Sequence, residues 1–128
     1  MSLELKLLVC AAALTFVQML VSVTGTMLQV GLPALAGNRE GLPEIVGWAG
    51  RSIRAHRNML ESLVLFAALV LAGHAAGKLN ATTALGAQLF IWARLAYAAV
   101  YIAGLPWLRT GVWFVSVIGL VMIFWQVV

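Results

Sequence analysis

The residues with the most chemistry to offer fall in two short runs. One is Arg51-Ser-Ile-Arg54-Ala-His56-Arg57-Asn58-Met-Leu-Glu61-Ser62, and the other is Arg94-Leu-Ala-Tyr97-Ala-Ala-Val-Tyr101. On a helix, Arg51, Arg54, Asn58 and Glu61 lie within about 80° of one another, and Arg94, Tyr97 and Tyr101 within about 60°. Guanidinium groups bind carboxylates and other anions, a carboxylate binds cations, and phenols both donate and accept. Two polar faces of this composition on neighbouring helices could together form one functional site. A solvated helix start laced with i,i+3 and i,i+4 ion pairs is the plainer reading of the first run. It accounts for Arg51 and Arg57 better than for Asn58 and Glu61, which lie deeper. Glu61 is expected to pair with Arg54 or with a neighbouring subunit's arginine, with Asn58 and Tyr101 completing its hydrogen bonds.

Those faces need elements to carry them, and the composition says what kind. The 128 residues are 63% hydrophobic and only 9% charged, far below the roughly 25% charge of a soluble domain. Lipid is the solvent that such a surface fits. Four apolar segments are long enough to cross a bilayer, at about 5–30, 46–76, 83–103 and 110–128, within one domain spanning 1–128. Gly31, Pro33, Gly37, Asn38, Gly41 and Pro43 break the chain after the first, and residues 31–47 form the longest polar connection. Gly77 to Thr83 forms a short turn, and Gly104 with Pro106 ends the third segment. The prediction is an all-α membrane protein, an up-down antiparallel bundle of four transmembrane helices per subunit. Small residues on helix faces (Gly25, Ala68, Ala72, Gly86, Gly104) permit close helix contact.

Depth sharpens the reading of Arg94. It lies near the middle of the third segment, where an arginine facing lipid costs several kcal/mol, so it must face the bundle or an intersubunit cleft. Gln18 and backbone carbonyls could satisfy it, and the tyrosines alone could be packing or interface residues. His56 points away from the stripe and reads as an interface residue, while His74 lies near the far end of the second segment. Neither has a cysteine or carboxylate at ligand spacing, which argues against a metal site. No phosphate-binding glycine loop or Ser/His/Asp set is visible.

The basic residues number eight against four acidic ones, for a net charge of +4. They are too sparse for a nucleic-acid footprint and read better as topology markers. Arg39, Arg51, Arg54, Arg57 and Arg109 mark one side, and Lys6 and Lys78 the other, which places both termini outside the cytoplasm. Cys10 reads as a small apolar filler in the first helix. The first apolar stretch exceeds the roughly 7–15 residues of a signal-peptide core, so it reads as a retained helix.

The run Arg54-Ala-His-Arg-Asn58-Met-Leu-Glu61 resembles the second-helix signature of the membrane-associated proteins in eicosanoid and glutathione metabolism, the MAPEG family. Ala93-Arg94-Leu-Ala-Tyr97-Ala-Ala-Val-Tyr101 resembles its third-helix signature, and the length and helix count resemble its short bacterial branch. The resemblance implies a homotrimer in a bacterial inner membrane, with glutathione as co-substrate between subunits near the cytoplasmic face. It implies that Arg54, Asn58, Glu61, Arg94, Tyr97 and Tyr101 line the glutathione site, with Tyr101 as a candidate catalytic group; the family's thiol-activating arginine near the end of the third helix has no exact counterpart, and Arg109, beyond Gly104 and Pro106, is the closest candidate. The expected activity is glutathione-dependent transfer to, or reduction of, lipophilic electrophiles arriving from the bilayer. Departures from the family pattern are the absence of arginine in Met27–Leu32, Ser62 in place of an aromatic, and Val64 in place of a proline. They favour the alternative, a non-catalytic trimer of the same architecture that binds lipid or a partner subunit. A proton-coupled exporter ranks below both, because Glu61 sits among arginines.

Overall fold

The computed structural model describes all residues 1–128. Five helices follow in order: α1 (Leu3–Val30), α2 (Leu32–Ala36), α3 (Gly47–Ala75), α4 (Ala81–Ala103) and α5 (Pro106–Val127). Four of them, α1, α3, α4 and α5, are long and apolar enough to cross a membrane. Only 25 of the 128 residues are buried within the subunit, and Phe16, Leu28, Val64 and Trp92 are among the large apolar side chains left outside. In water that surface would drive aggregation; against acyl chains it carries no penalty.

The helices cross the bundle alternately. Glu4 at the start of α1 lies against Thr83 at the start of α4, so these two run parallel. Helices α3 and α5 run parallel to each other in the opposite sense. Two close approaches set the packing. A Cβ on Gly119 would lie 2.5 Å from the Gly86 carbonyl oxygen, so α4 and α5 meet backbone to backbone. A Cβ on Gly25 would lie 2.6 Å from the Ala49 Cβ, which brings α1 onto α3. Between the pairs sits an apolar core of Ala11, Met59, Phe66, Val70, Ala87, Phe90 and Ile123. Phe66 and Phe90 stack within it, their centroids 4.2 Å apart.

Several boundaries differ from the sequence expectation, each for a local reason. The polar connection after α1 contains the short helix α2, which Pro33 helps to start. The α5 helix begins at Pro106 rather than near Thr110. Gly104 closes α4 in the left-handed conformation (φ 83°), its N–H bonding to the Val100 and Tyr101 carbonyls. Pro106 then opens α5 at once, because the first turn of a helix needs no N–H there. Pro106 thus restarts the helix as well as ending the segment before it, and in consequence Arg109 rides on the first turn of α5. Gly104 therefore serves as a cap rather than a packing residue, and Ala68 and Ala72 face outward. Cys10 is also exposed, not an interior filler.

The α3 start has no capping side chain of its own. Gln29 near the end of α1 supplies one from a distance. Its Nε2 donates to the Val46 carbonyl (2.8 Å) and its Oε1 accepts from the Val46 N–H (3.1 Å). This clamp fixes the long connection and sets where the arginine-bearing face of α3 begins.

Candidate functional site

The polar stripe of α3 faces the end of α4, and successive side chains find successive partners along it. Arg51 Nε donates to the Ile102 carbonyl at 2.8 Å. That carbonyl belongs to the last turn of α4 and has no helical partner, so Arg51 acts as a helix cap and complements the negative end of the dipole. Arg54 Nε donates to the Tyr101 hydroxyl at 3.2 Å. Asn58 Oδ1 accepts from Arg94 Nη2 at 2.7 Å. The antiparallel course of the two helices produces these three rungs. The next residue on the stripe, Glu61, reaches the level of the apolar core and has no rung. Both partners expected for it are engaged elsewhere, Asn58 by Arg94 and Tyr101 by Arg54. Glu61 is exposed on the subunit surface and makes no ion pair with Arg54.

Arg94 is only 1% exposed. Its guanidinium carbon lies 4.3 Å from the centre of the Tyr97 ring, a contact that partly compensates burial of the charge. Its Nε and Nη1 have no hydrogen-bond partner in the subunit, and neither has Gln18 Oε1. The expected Arg94–Gln18 contact is not formed, because α1 and α4 run parallel from the Glu4–Thr83 contact. Gln18 stands three residues further along its helix than Arg94 does along its own, an offset of about 4.5 Å. Asn58, not Gln18, holds the arginine.

Tyr101 lies between two cations. Arg109 sits over its ring at 4.6 Å and Arg54 at 5.9 Å. Tyr97 meets Tyr101 edge to face, with centroids 5.5 Å apart. Because Arg54 donates to the phenolic oxygen, the hydroxyl proton of Tyr101 remains free to be donated elsewhere. Arg109 reaches this group only because α5 starts early. It lines a pocket of about 170 Å³ together with Asn58, Tyr97, Thr110 and Trp113. Thr110 and Trp113 were not singled out for this role. Trp113 reads in sequence as an interface aromatic, and its four-residue spacing from Arg109 was the available signal.

A second pocket, of about 180 Å³, adjoins the first and shares Asn58 and Trp113 with it. Its walls are Asn58, Glu61, Ser62 and Leu65 on α3, and Trp113, Ser116, Val117 and Leu120 on α5. The six residues proposed from sequence to line a site thus divide by place. Arg54, Asn58, Arg94, Tyr97 and Tyr101 form one connected cluster with Arg109, and Glu61 stands beside it in the second pocket. His56 is half-buried, with its Nδ1 unpartnered, and lies off the cluster. No group of three His, Cys, Asp or Glu side chains is placed to hold a metal ion.

The first pocket presents the Arg109 guanidinium, Tyr97 and Asn58, the adjoining pocket adds the Glu61 carboxylate, and Arg54, Tyr101 and the buried Arg94 belong to the cluster connected with them. The arrangement suits a small anionic or zwitterionic ligand more than an apolar one. Among known proteins, a model of the MAPEG family matches residues 5–128. No curated protein and no solved structure matches the chain.

Proposed function

The chain belongs to the MAPEG family, and from that premise we propose that it is a membrane-embedded glutathione-dependent transferase, or peroxidase-like enzyme, acting on lipophilic electrophiles. The observation that carries this reading is the buried Arg94, held by Asn58 and stacked on Tyr97, beside a Tyr101 flanked by Arg54 and Arg109. Glutathione offers two carboxylates, an ammonium and a thiol. Arg54 and Arg94 suit the carboxylates, Glu61 the ammonium, and Asn58 and Tyr97 the peptide groups between them.

The thiol has an ordinary pKa of about 8.5 and reacts as thiolate. The Tyr101 hydroxyl can donate to the sulfur, and the Arg109 guanidinium adds positive charge beside it; both favour loss of the proton to water. In transfer, the sulfur lone pair forms the carbon–sulfur bond. The displaced electron pair leaves with the departing group, or moves onto a conjugated acceptor that then takes a proton. In peroxide reduction, two glutathione molecules give up two electrons and two protons, yielding the disulfide, an alcohol and water.

The functional unit in this reading is a trimer. Glu61, Leu65, Ala68 and Ala72 form an exposed line along α3, and a carboxylate on a lipid-facing line is costly. Packing that line against another copy would remove the cost and give Glu61 a cationic neighbour. Native mass spectrometry from mild detergent should give trimers; monomers or dimers alone would count against it. The arginine end would face the cytoplasm.

The direct test is a difference spectrum of the purified protein with added glutathione, read at the ultraviolet absorbance of the thiolate. Thiolate formation is expected in wild type and should be lost in Arg109→Leu. The last turn of α1 carries no basic residue, which favours a second reading as a non-catalytic trimer that binds lipid or a partner. That reading predicts no thiolate signal at millimolar glutathione.

A further inference from the structure

A groove lies away from the arginine cluster, between α1 and α4. Leu7, Cys10 and Leu14 form one wall and Ile91, Trp92 and Leu95 the other, so the lining is apolar throughout. It encloses about 250 Å³. Spread over the ~10 Å of helical rise from Leu7 to Leu14, this gives a section of about 25 Å², enough for one extended hydrocarbon chain and not for two. Two polar residues continue the walls toward the Asn80 end, where both helices start. Lys6 lies one turn before Cys10, within about 40° of it around α1. Gln88 lies one turn before Ile91 and Trp92, within about 60° of Ile91, Trp92 and Leu95 around α4. Lys6 is exposed and Gln88 is half-buried. The amides of Gln29 and Gln126 are hydrogen-bonded within the subunit; that of Gln88 is not. Gln88 stands a third of the way along a membrane-spanning helix, where hydrocarbon offers an amide no partner. Because Glu4 and Thr83 are level, Gln88 lies about 4.5 Å deeper than Lys6 by helical rise.

We propose that this groove is a binding site for a glycerophospholipid with an anionic headgroup. The phosphate rests at Lys6, an ester carbonyl accepts from Gln88 Nε2, and one acyl chain runs inward between Leu14, Ile91 and Leu95 with the Trp92 ring along its side. Cation, amide and apolar channel follow one another in the order of phosphate, ester and chain in such a lipid, and the step from Lys6 to Gln88 matches the step from phosphate to ester carbonyl. A purely apolar occupant would leave the Gln88 amide without a partner. The charges at this end favour an anion. Its only acidic side chain, Glu4, is buried against Thr83, and Lys78 donates to the Val127 carbonyl, so Lys6 is the lysine without a protein partner. The groove shares no residue with the arginine cluster, and the proposal does not depend on the glutathione reading.

Native mass spectrometry of the full-length protein in mild detergent, titrated with dioleoyl phosphatidylglycerol or dioleoyl phosphatidylcholine, tests this. Phosphatidylglycerol should be held about fivefold more tightly, the effect of one lysine on a net negative headgroup. Lys6→Gln should abolish that preference. Gln88→Leu should weaken both lipids by about three- to tenfold and leave their ratio intact, because the ester carbonyl is common to them. Cys10→Trp fills the groove from an exposed position and should expel both. Neither Lys6→Gln nor Gln88→Leu removes a side-chain bond of the subunit, so either one carries the test if Cys10→Trp does not fold. Equal retention of the two lipids by wild type would overturn the proposal, as would a preference that survives Lys6→Gln. Retention that Gln88→Leu leaves unchanged would also overturn it. Loss of the oligomer in Gln88→Leu would show that the groove seats another copy of this chain, and a single-chain fatty acid retained in place of phospholipid would show a different ligand; each of these outcomes overturns the proposal.

Discussion

At the Asn80 end of the bundle the polar side chains close on neighbours in the same subunit, whereas around Arg94, in the half toward the opposite end, several stay open. Asn80 caps α4, accepting from the Thr82 and Thr83 N–H groups, while Thr83 Oγ1 accepts from the Asn80 N–H to complete a capping box. Asn80 Nδ2 also donates to Gln126 Oε1 at 2.9 Å, Lys78 Nζ reaches the Val127 carbonyl, and Thr83 touches the buried Glu4. In the other half Arg94 Nε and Nη1 and Gln18 Oε1 have no partner, and Glu61 is exposed. Buried polar groups are almost always paired in a finished fold. The contrast teaches that one end spends its polar groups on holding the helices together, while the other keeps hydrogen-bonding capacity unspent within the subunit.

The largest expected effect breaks the scaffold that both ends share. A Cβ on Gly119 would meet the Gly86 carbonyl oxygen at 2.5 Å and the Phe90 nitrogen at 2.9 Å. Both are backbone atoms and cannot swing aside. Gly119→Val should therefore cost about 3 kcal/mol or more, since overpacking is worst where neighbours cannot yield. Thermal unfolding in detergent should show a large drop, with binding lost together with the fold.

Next comes a substitution that should separate stability from function. Arg94→Met removes a buried cation that has only one hydrogen bond and replaces it with an apolar chain of similar reach. Such exchanges are often neutral or stabilising, so stability should stay within about 1 kcal/mol of wild type. Glutathione binding should fall by about a hundredfold, the worth of a charge-assisted contact. If instead the melting temperature collapses and binding survives, Arg94 belongs to the scaffold and the contrast between the ends is wrong.

Glu61→Gln should be milder. The amide is nearly isosteric and no intrasubunit partner is lost, so the fold should be unaffected. Binding of glutathione should weaken by about tenfold through loss of the charge facing the ammonium, and Glu61→Leu should weaken it further. Calorimetry that finds no difference between wild type and Glu61→Gln would remove Glu61 from the site.

How much of this was legible in sequence differs between the elements and their contacts. Helix existence followed from apolar length, and the two polar faces followed from the spacing of Arg51, Arg54, Asn58 and Glu61 and of Arg94, Tyr97 and Tyr101. Pairing between the faces did not follow, because it depends on the axial offset of α3 against α4. That offset gives Asn58 to Arg94 and leaves Glu61 without a rung. Arg109 could be named but not placed, since its position hangs on whether Pro106 ends one helix or starts another. Gln29 capping α3 and Trp113 dividing two pockets are long-range contacts that no local pattern encodes.

The smallest effect belongs to the closed end. Asn80→Ala removes the oxygen that accepts from the Thr82 and Thr83 N–H groups at 2.9 and 3.0 Å, and with it the bond to Gln126. Loss of an N-cap typically costs about 1 kcal/mol, and because Asn80 is exposed, water can take over the freed N–H groups and hold the loss near that value. The start of α4 lies about 20 Å from Arg94 by helical rise, and the Gly86–Gly119 contact between them keeps α4 and α5 in register. The melting temperature should therefore fall modestly while glutathione affinity stays at the wild-type value. Measuring both on the same preparation makes the comparison sharp. An affinity that falls in step with stability would mean that the two ends are one cooperative unit, and that the open groups near Arg94 are not set apart for a ligand.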